Sequence, residues 1–405
     1  QPMNAQIEHR LPLIAEELAS EVSARLQALF PGREGSLSLH EPEFSAQAEA
    51  NVAECIRSTF VSSVGAFVGE FEAQLADACG AAHAVAVVNG TAALELALRV
   101  AGVEPNTEVL MPSLTFVATP NAVSHLNAVP HFVDVNEQTL GIDAEALLRH
   151  LNEIAEPKAG RLYNRQTNQV ISALVPVHAF GHPVAMDALN KVAATFGIAV
   201  IEDAAEALGS KYKGRKCSAL GRLGAVSFNG NKIITTGGGG AVITNDSDLA
   251  AEARHLSTTA KLPHAWAFSH DRVGYNYRMP NLNAALGVAQ LEELSDRIAK
   301  KRRLAAAYIK QFSDHPDLRV MREPEHATSN YWLNTLILEP HAAFSRDEIL
   351  QRLNDAGFMA RPVWEPMHTL SIYADAPRAR LPQTEALAQR IINLPSSAKL
   401  VELLP

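Results

Sequence analysis

The sequence predicts an α/β protein with a mainly parallel sheet covered by helices on both faces, followed by a smaller α+β region. Short apolar runs predict the strands of the large sheet: AVAVV (84–88), EVLM (108–111), HFVDV (131–135), ISALVPV (171–177), IAVIED (198–203), GAVSF (224–228) and GAVIT (240–244). Helical patterns follow several of these runs, at 92–100, 185–196 and 249–256. Such alternation of strands and helices is typical of parallel sheets buried on both faces.

The first 38 residues predict a helical extension. Apolar residues recur every three or four positions between residue 4 and about residue 31, as Leu18, Val22 and Leu26 illustrate, and Pro31 with Gly32 ends the pattern. We expect this amphipathic helix to dock onto the body of the protein or onto a second subunit.

Two domains are expected to follow the extension. Residues 39–282 hold the predicted parallel sheet and form a large domain. Residues 283–405 begin with one long connecting helix, expected to end near residue 312, and continue as a small C-terminal domain. The elements expected there are the strands LRVM (318–321), YWLNTLIL (331–338) and FMARPV (358–363) and a helix at about 346–356.

The composition excludes several functional classes. Lysine and arginine total 35 against 44 aspartates and glutamates, which gives a formal net charge of −9. A nucleic-acid-binding protein usually has a basic excess, so no nucleic-acid partner is expected. No apolar run reaches the roughly 18 residues that a membrane helix requires, so no membrane association is expected. Three cysteines without CxxC spacing argue against disulfides or a zinc ribbon and favour a cytoplasmic location.

The run Asn89-Gly90-Thr91-Ala92 lies between a predicted strand and a predicted helix. Backbone amides and a threonine hydroxyl at a helix start bind anions such as phosphate. The run is neither a Walker loop nor a GxGxxG fingerprint, and an ordinary tight turn has the same residues. Taken alone, it leaves both interpretations open.

Glu202 and Asp203 end a predicted buried strand. A carboxylate there is costly unless it meets a cation or hydrogen-bond donors. Asp203 is therefore expected to cap a helix, pair with an arginine, bind a metal or face a protonated ring nitrogen. No HxH, HExxH or DxD spacing accompanies it, so no metal site is expected.

Lys232 stands between a predicted strand that ends near Ser227 and the glycine run at 237–240. Glycines allow a ligand to approach the backbone closely, and lysine is the side-chain amine that condenses with carbonyl groups in active sites. A solvated lysine in a surface loop is the ordinary alternative.

These three features are predicted at one edge of one sheet, because ligands bind at the carboxyl ends of parallel strands. Pyridoxal 5′-phosphate requires all three. Its phosphate needs amides and hydroxyls, its pyridinium nitrogen needs a carboxylate, and its aldehyde needs a lysine. The sequence therefore predicts a pyridoxal-phosphate site.

Longer motifs resemble the DegT/DnrJ/EryC1/StrS family of nucleotide-sugar aminotransferases. They extend from about Leu39 to Leu394 and read NGTAALELAL, MPSLTFVATPNAV, EDAAEALGSKYKGRK, SFNGNKIITTGGGGAVITND and YNYRMPNLNAALGVAQLEEL. The resemblance implies fold type I of the pyridoxal-phosphate-dependent transferases, which is the aspartate aminotransferase architecture. It also implies an enzyme that transfers an amino group from L-glutamate to a nucleotide-linked ketosugar.

The resemblance implies roles for residues near the reacting atoms. Lys232 resembles the lysine that holds the cofactor and later shuttles a proton. Asp203 resembles the aspartate that pairs with the pyridinium nitrogen. Glu206 stands where relatives carry Gln or Glu near the phenolic oxygen, although an ordinary glutamate at a helix start is the alternative. Phe116 stands where relatives place an aromatic ring over the pyridine, and a core phenylalanine is its alternative.

The phosphate contacts implied by the resemblance come from two regions of the chain. Gly90, Thr91 and Ser227 match contacts within one subunit. Asn276 matches an asparagine that relatives donate to the phosphate of the neighbouring subunit. The expected active unit is therefore a homodimer or larger homo-oligomer with shared sites.

The string SFNGNKIITTGGGG narrows the resemblance. Many relatives read SFHxxK, whereas Asn229 replaces the histidine here. The string is closest to the bacillosamine and legionaminic acid pathway enzymes, which implies amination at C4 of a UDP-linked 4-keto-6-deoxy-N-acetylhexosamine for bacterial glycan synthesis. GDP-perosamine synthases, which usually carry a glutamate where Gly238 stands, and dTDP-ketosugar aminotransferases are the alternatives.

Other activities remain as alternatives of a different class. Family dehydratases replace the lysine by histidine, so Lys232 argues against that branch. A sensor that binds a nucleotide sugar or the cofactor without turnover shares the fold. An NAD-dependent oxidoreductase is also an α/β protein, but this chain lacks its glycine fingerprint.

Overall fold

The computed structural model describes residues 2–62 and 64–405, with the backbone alone described for residues 2–9. Within these ranges the α-helices are α1 (Pro2–Leu29), α2 (Ala46–Ser58), α3 (Ala66–Ala78), α4 (Gly90–Val100), α5 (Ala118–His125), α6 (Ala144–Ile154), α7 (Met186–Phe196), α8 (Ser247–Ser257), α9 (Asn281–Glu292), α10 (Leu294–Gln311), α11 (Arg346–Asp355) and α12 (Pro382–Ala388). None of them is both long enough and apolar enough to cross a membrane.

The strands of the described residues form one large sheet, one smaller sheet and short pairings. They are β1 (His83–Val87), β2 (Glu108–Pro112), β3 (Val129–Val133), β4 (Ala155–Lys158), β5 (Arg161–Asn164), β6 (Ile171–Leu174), β7 (Ala199–Asp203), β8 (Lys211–Tyr212), β9 (Arg215–Lys216), β10 (Leu223–Ser227), β11 (Gly240–Thr244), β12 (Leu318–Val320), β13 (Ala327–Thr328), β14 (Asn334–Leu338), β15 (Arg361–Pro362) and β16 (Ile391–Leu394).

The large sheet has the strand order β1-β11-β10-β7-β6-β2-β3. Strands β10, β7, β6, β2 and β3 pair in parallel, whereas β11 runs antiparallel to both of its neighbours, β1 and β10. Each of the seven apolar runs contains or overlaps one of these strands. The predicted α/β fold with a mainly parallel sheet is therefore confirmed.

Burial on both faces explains why these strands are continuous apolar runs. Along β10, Leu223 and Ala225 pack into one core with α4, while Val226 packs on the other face with Phe71 and Val288. Alternate residues of a strand point to opposite faces, so a strand covered on both sides needs apolar residues at every position.

The smaller sheet is antiparallel, with the order β12-β14-β16-β15. The runs LRVM, YWLNTLIL and FMARPV contribute β12, β14 and β15, and β16 was not anticipated. The domain boundary expected after residue 282 falls inside α9, which packs against α2 and α3 of the preceding region.

The structure divides the predicted long connecting helix into α9 and α10. Glu293 lies between them with φ −94° and ψ −2°. Gln290 and Arg297, on the two sides of this bend, both donate hydrogen bonds to the Glu43 carbonyl, at 2.8 and 3.1 Å. The bend thus depends on a backbone group contributed from far away in the sequence.

Helix α1 docks onto the body of its own chain. Its apolar stripe, which includes Leu18, Val22 and Leu26, shares one core with Leu304 of α10 and Leu353 of α11. The first of the two docking alternatives for the N-terminal extension is therefore observed.

His182 is a fully buried titratable group between the two sheets. Neither ring nitrogen has a hydrogen-bond partner among the described residues, and the ring packs edge-on against Tyr331 at 5.3 Å. Burial lowers the pKa of His182 from 6.5 to about 4, against a smaller raising effect of Glu323. The folded protein therefore favours neutral His182 down to about pH 4.

His182→Phe is expected to reduce the loss of stability in mild acid. As the pH falls below about 6.5, the unfolded chain protonates His182 while the folded chain resists, so the wild type loses up to about 3 kcal/mol by about pH 4. Phenylalanine keeps the edge-on packing and does not titrate. Urea unfolding at about pH 7 and about pH 4.5 measures this loss, which should be smaller in the variant by about 2 to 3 kcal/mol. An equal loss in both proteins would exclude His182 as the cause.

Candidate active site

The predicted site residues follow the carboxyl ends of four strands of the large sheet. Gly90 and Thr91 follow β1, Phe116 follows β2, Asp203 ends β7 and Ser227 ends β10. Because these four strands run in the same direction, their carboxyl ends lie at one edge of the sheet. The sequence-based expectation that these groups share one edge is met by the topology.

The start of α4 provides an anion site. Asn89 caps the helix, and its Oδ1 accepts a hydrogen bond from the Ala92 amide at 2.7 Å. The amides of Gly90 and Thr91 lie in the first turn, where helical amides have no partner within the helix. These amides and the positive end of the helix dipole can hold a phosphate.

Gly90 and Ser227 are in direct contact. A Cβ built on Gly90 would lie 2.7 Å from the Ser227 Cβ, and one built on Gly240 would lie 2.5 Å from the Asn89 carbonyl carbon. Both positions therefore exclude a side chain. The close approach brings the Ser227 hydroxyl to the first turn of α4, so the predicted phosphate contacts Gly90, Thr91 and Ser227 lie together.

Hydrogen bonds from two groups orient the Asp203 carboxylate. Oδ2 accepts from the Thr119 hydroxyl at 2.7 Å, and Oδ1 accepts from the Ala205 amide at 3.2 Å. Thr119 is buried and also bonds to the Thr115 hydroxyl at 2.9 Å. Thr119 was not predicted as a site residue, although it lies in the motif MPSLTFVATPNAV.

Glu206 is a buried carboxyl beside Lys232 and Asp203. Burial raises its pKa to about 7, while the Lys232 charge and a hydrogen bond from the Phe180 amide, 3.1 Å long, oppose the rise and the Asp203 charge adds to it. Near neutral pH this carboxyl can therefore either donate or accept a hydrogen bond.

The Phe180 backbone that binds Glu206 is strained. Its φ of 58° and ψ of 16° lie in the left-handed region, which costs a non-glycine residue about 1 kcal/mol or more. The Phe180 ring stacks on Trp364 with centroids 4.7 Å apart and planes at 18°. This stacking fixes Phe180 and, through its amide, the position of Glu206.

Lys232 lies beside Trp332, for which the sequence predicted no role in the site. Lys232 Nζ lies 4.3 Å from the centroid of the Trp332 ring. The indole N–H donates to the Asn231 carbonyl at 2.7 Å. No local signal reveals this contact, because Trp332 belongs to an apolar run that reads as a buried strand.

His178, Glu202 and Cys217 form a buried group beneath the site with ligand atoms within 4.8 Å of one another. His178 Nδ1 accepts from the Val184 amide at 3.1 Å, which places the ring proton on Nε2, where it bonds to Glu202 at 2.9 Å. Glu202 also accepts three amides of residues 218–221. The Glu202 carboxylate thus fixes the loop at residues 218–221. Both ring nitrogens of His178 take part in hydrogen bonds, so this histidine presents no free lone pair to a cation.

Phe116 and Asn276 are exposed in the single chain. Phe116 is 54% exposed, which leaves ring surface available to a ligand. Asn276 pairs with Thr258, and the carbonyl of the next residue, Tyr277, accepts from the Val88 amide at 3.1 Å. The residue after Asn276 therefore contacts the chain just before α4 of the same subunit. That Asn276 binds the cofactor phosphate of a neighbouring subunit stays a prediction.

The chain is similar to known proteins of one family. A sequence profile of the DegT/DnrJ/EryC1/StrS aminotransferase family matches residues 42–402. The GDP-perosamine synthase of Caulobacter vibrioides is 38% identical over 368 residues, covering 90% of this chain and 94% of that protein. The GDP-perosamine synthase of Escherichia coli O157:H7 is 36% identical over 360 residues, covering 89% and 93%. The crystal structure of the aminotransferase TlmJ from Streptoalloteichus hindustanus matches with a TM-score of 0.81 and 28% identity, covering 91% and 97%.

Proposed function

The chain belongs to the DegT/DnrJ/EryC1/StrS aminotransferase family and is a pyridoxal-phosphate-dependent sugar aminotransferase, and on this premise we propose that it aminates C4 of a nucleotide-linked 4-keto-6-deoxy sugar with L-glutamate as donor. The observation that supports a cofactor-dependent amino transfer is the arrangement of Lys232, Asp203 and the Gly90–Ser227 contact. The amino donor and the C4 position are what the family resemblance implies.

The residues present fit pyridoxal 5′-phosphate. Gly90 lacks a Cβ that would meet Ser227, so the first-turn amides of α4 and the Ser227 hydroxyl lie together and offer donors to a phosphate. Asp203 offers a carboxylate to a ring nitrogen, and Phe116 offers an exposed aromatic face. When bound, the cofactor supplies an aldehyde and an electron-withdrawing ring.

Lys232 has two tasks in the proposed reaction. Its Nζ would hold the cofactor. As a free amine, Nζ would accept the α-proton of glutamate, and in the second half of the cycle it would deliver a proton to C4 of the sugar. One positioned amine is sufficient for both transfers, because the two half-reactions run in opposite directions over the same atoms.

Asp203 and Glu206 tune the site electrostatically. The Asp203 carboxylate, oriented by Thr119, would hold a proton on the ring nitrogen of the bound cofactor. An ion pair at about 4 Å contributes roughly 4 kcal/mol at an effective dielectric near 20, before desolvation. Glu206, with its pKa raised to about 7 by burial, can donate a hydrogen bond to a ligand oxygen when protonated and accept one from a ligand hydroxyl when ionised.

Two nucleotides are candidates for the acceptor substrate. A GDP-linked sugar is favoured by two relatives that bear the name GDP-perosamine synthase and cover about nine-tenths of the chain. A UDP-linked 4-keto-6-deoxy-N-acetylhexosamine is the second candidate, favoured by Gly238. A Cβ on Gly238 would meet no atom of the described residues within 4 Å, so the space around this position would admit the glutamate that perosamine synthases usually carry. Steric packing therefore does not explain why glycine stands here.

A panel of ketosugars tests the proposal. Glutamate-dependent amination of GDP-, UDP- and dTDP-linked 4-keto-6-deoxy sugars is followed by mass spectrometry of the product. We expect one nucleotide to be used at least about 10-fold more efficiently than the others, because a nucleotide-specific site discriminates through hydrogen bonds to the base. Binding without amination of any member would favour the non-catalytic sensor instead.

We further propose that the active unit is at least a homodimer in which Asn276 reaches the partner's cofactor phosphate. The segment around Asn276 exposes large apolar side chains: Trp266 is 81%, Phe268 79% and Val273 84% exposed in the single chain. Exposed apolar clusters of this kind mark protein interfaces.

Asn276→Ala is expected to loosen cofactor binding by about 10-fold to 150-fold without unfolding the chain. The amide donor to a dianionic phosphate makes a charge-assisted hydrogen bond worth roughly 1.5 to 3 kcal/mol. Titration of the cofactor-free protein with pyridoxal 5′-phosphate, followed by absorbance, measures the change. An unchanged affinity would remove Asn276 from the phosphate site.

Mixing two impaired variants tests whether sites are shared. Lys232→Ala removes the amine, and Asn276→Asp places a carboxylate against the phosphate. If Asn276 serves the partner, a mixed dimer has one site with both lesions and one with neither, so subunit exchange should restore part of the activity. Mixed dimers without recovery would show that Asn276 serves its own chain.

A further inference from the structure

We propose that Trp332 is a positioning residue for Lys232. The inference rests on the proposed role of Lys232 and on two contacts from one side chain. The indole N–H donates to the Asn231 carbonyl at 2.7 Å, directly before Lys232, and the ring lies 4.3 Å from Lys232 Nζ. Trp332 thus holds both the backbone that carries the lysine and the amine at the end of its side chain.

Hydrogen bonds fix the Trp332 backbone at both its carbonyl and its amide. Its carbonyl accepts from Lys301 Nζ at 2.6 Å, and Lys301, which is fully buried, also donates to the Ser396 carbonyl. Its amide donates to Asn330 Oδ1 at 2.9 Å, and Asn330 in turn donates to the carbonyls of Glu206 and Leu208. The indole is therefore a rigid wall rather than a mobile surface group.

A rigid wall matters because the lysine side chain is flexible. Its four methylene groups allow many rotamers, and only a few of them place Nζ at a reacting atom. The other rotamers must be excluded. The amine must also return to one position after the donor displaces it. An aromatic face attracts the ammonium form and a fixed carbonyl anchors the preceding residue, so both contacts restrict Nζ to one side of the site.

Charged neighbours on other elements do not replace this contact. The ring centroids of His40 and Trp332 are 6.2 Å apart. Burial lowers the pKa of His40 well below 6.5, and the charges of Lys301, Arg297 and Lys232 add to this effect. His40 is therefore neutral near the indole. Asp203 ends β7 of the large sheet, Glu206 follows it, and both influence the electrostatics of the site. Trp332 instead restricts the position of Lys232 Nζ.

Two substitutions separate the contacts of Trp332. Trp332→Phe keeps an aromatic ring and loses the N–H, and Trp332→Leu loses both. Tyr308→Phe is the matched control, because it also removes one buried aromatic donor to a backbone carbonyl, that of Pro395 at 2.8 Å, without contacting Lys232. It therefore reports what a similar loss of stability does by itself.

Two measurements test the proposal in the whole 405-residue chain. The first is kcat and KM for amination, and the second is the rate at which cofactor-free protein acquires visible absorbance after addition of pyridoxal 5′-phosphate. We expect Trp332→Phe to lower kcat and the capture rate by about 2-fold to 10-fold and Trp332→Leu by about 10-fold to 100-fold, with KM changed by less than about 2-fold. Tyr308→Phe should leave all three values near those of the wild type.

Two results would contradict the roles assigned to Trp332 and Lys232. If Trp332→Phe matches Tyr308→Phe in kcat and capture rate, the tryptophan has only a structural role and the inference fails, even where Trp332→Leu does not fold. Lys232→Ala serves as the second reference. If that variant still acquires the visible band, Lys232 is not the anchoring amine, and the proposed function fails independently of Trp332.

Discussion

Replacing Lys232 by alanine is expected to leave a folded protein that cannot sustain turnover. The variant lacks both the amine that anchors the cofactor and the group that moves the proton. Lys301 cannot substitute, because it is fully buried and donates to the carbonyls of Trp332 and Ser396. Steady-state amination with glutamate, together with thermal unfolding to verify the fold, measures the effect.

Lys213→Ala provides the control for this experiment. Lys213 is a half-exposed lysine that pairs with Asp187 away from the predicted cofactor contacts, and its removal should leave turnover within about 2-fold of the wild type, since exposed ion pairs contribute little. Substantial steady-state activity in Lys232→Ala would remove Lys232 from the mechanism.

Asp203→Asn is expected to lower the rate by at least about 100-fold and to weaken cofactor binding. Asparagine preserves the shape and can still accept the hydrogen bond from Thr119, but it carries no charge to keep a proton on the ring nitrogen. The electron-withdrawing power of the ring depends on that proton. Single-turnover kinetics with glutamate isolate this effect from product release.

Thr119→Val separates charge from orientation at the same position. This variant removes the donor at 2.7 Å but leaves the Asp203 carboxylate ionisable. We expect a loss of about 10-fold, the lower end of the roughly 1.5 to 3 kcal/mol that one hydrogen bond to a charged group contributes, because the charge of Asp203 itself remains. Near-normal turnover in Asp203→Asn would refute the pairing with the ring nitrogen.

The large sheet could be predicted because its strands are buried on both faces. Each strand, for example β2 or β10, is therefore a continuous apolar run that stands out from its surroundings. The bend between α9 and α10 could not be predicted, since the helical pattern continues through Glu293. The break is tied to hydrogen bonds from Gln290 and Arg297 to the Glu43 carbonyl, which no local pattern records.

The site was predictable only where function lies in short motifs. Lys232 and Asp203 were predicted as candidate site residues because Asp203 ends a buried strand and Lys232 follows one, and a core does not need a charged group at either place. Thr119 and Trp332 were missed because their roles arise from tertiary contacts, to Asp203 in one case and to Lys232 in the other. Trp332 in particular reads as a core aromatic in the run YWLNTLIL.

The transfer of isotope-labelled nitrogen from L-glutamate tests the proposed reaction most directly. The protein, loaded with pyridoxal 5′-phosphate, is incubated with labelled glutamate, unlabelled ammonium and the ketosugar that the nucleotide panel selects. We predict that the label appears in the sugar amine at C4 and that one 2-oxoglutarate forms for each amine, with no product from Lys232→Ala. An unlabelled amine, or label transfer that persists without Lys232, would contradict amino transfer through this site.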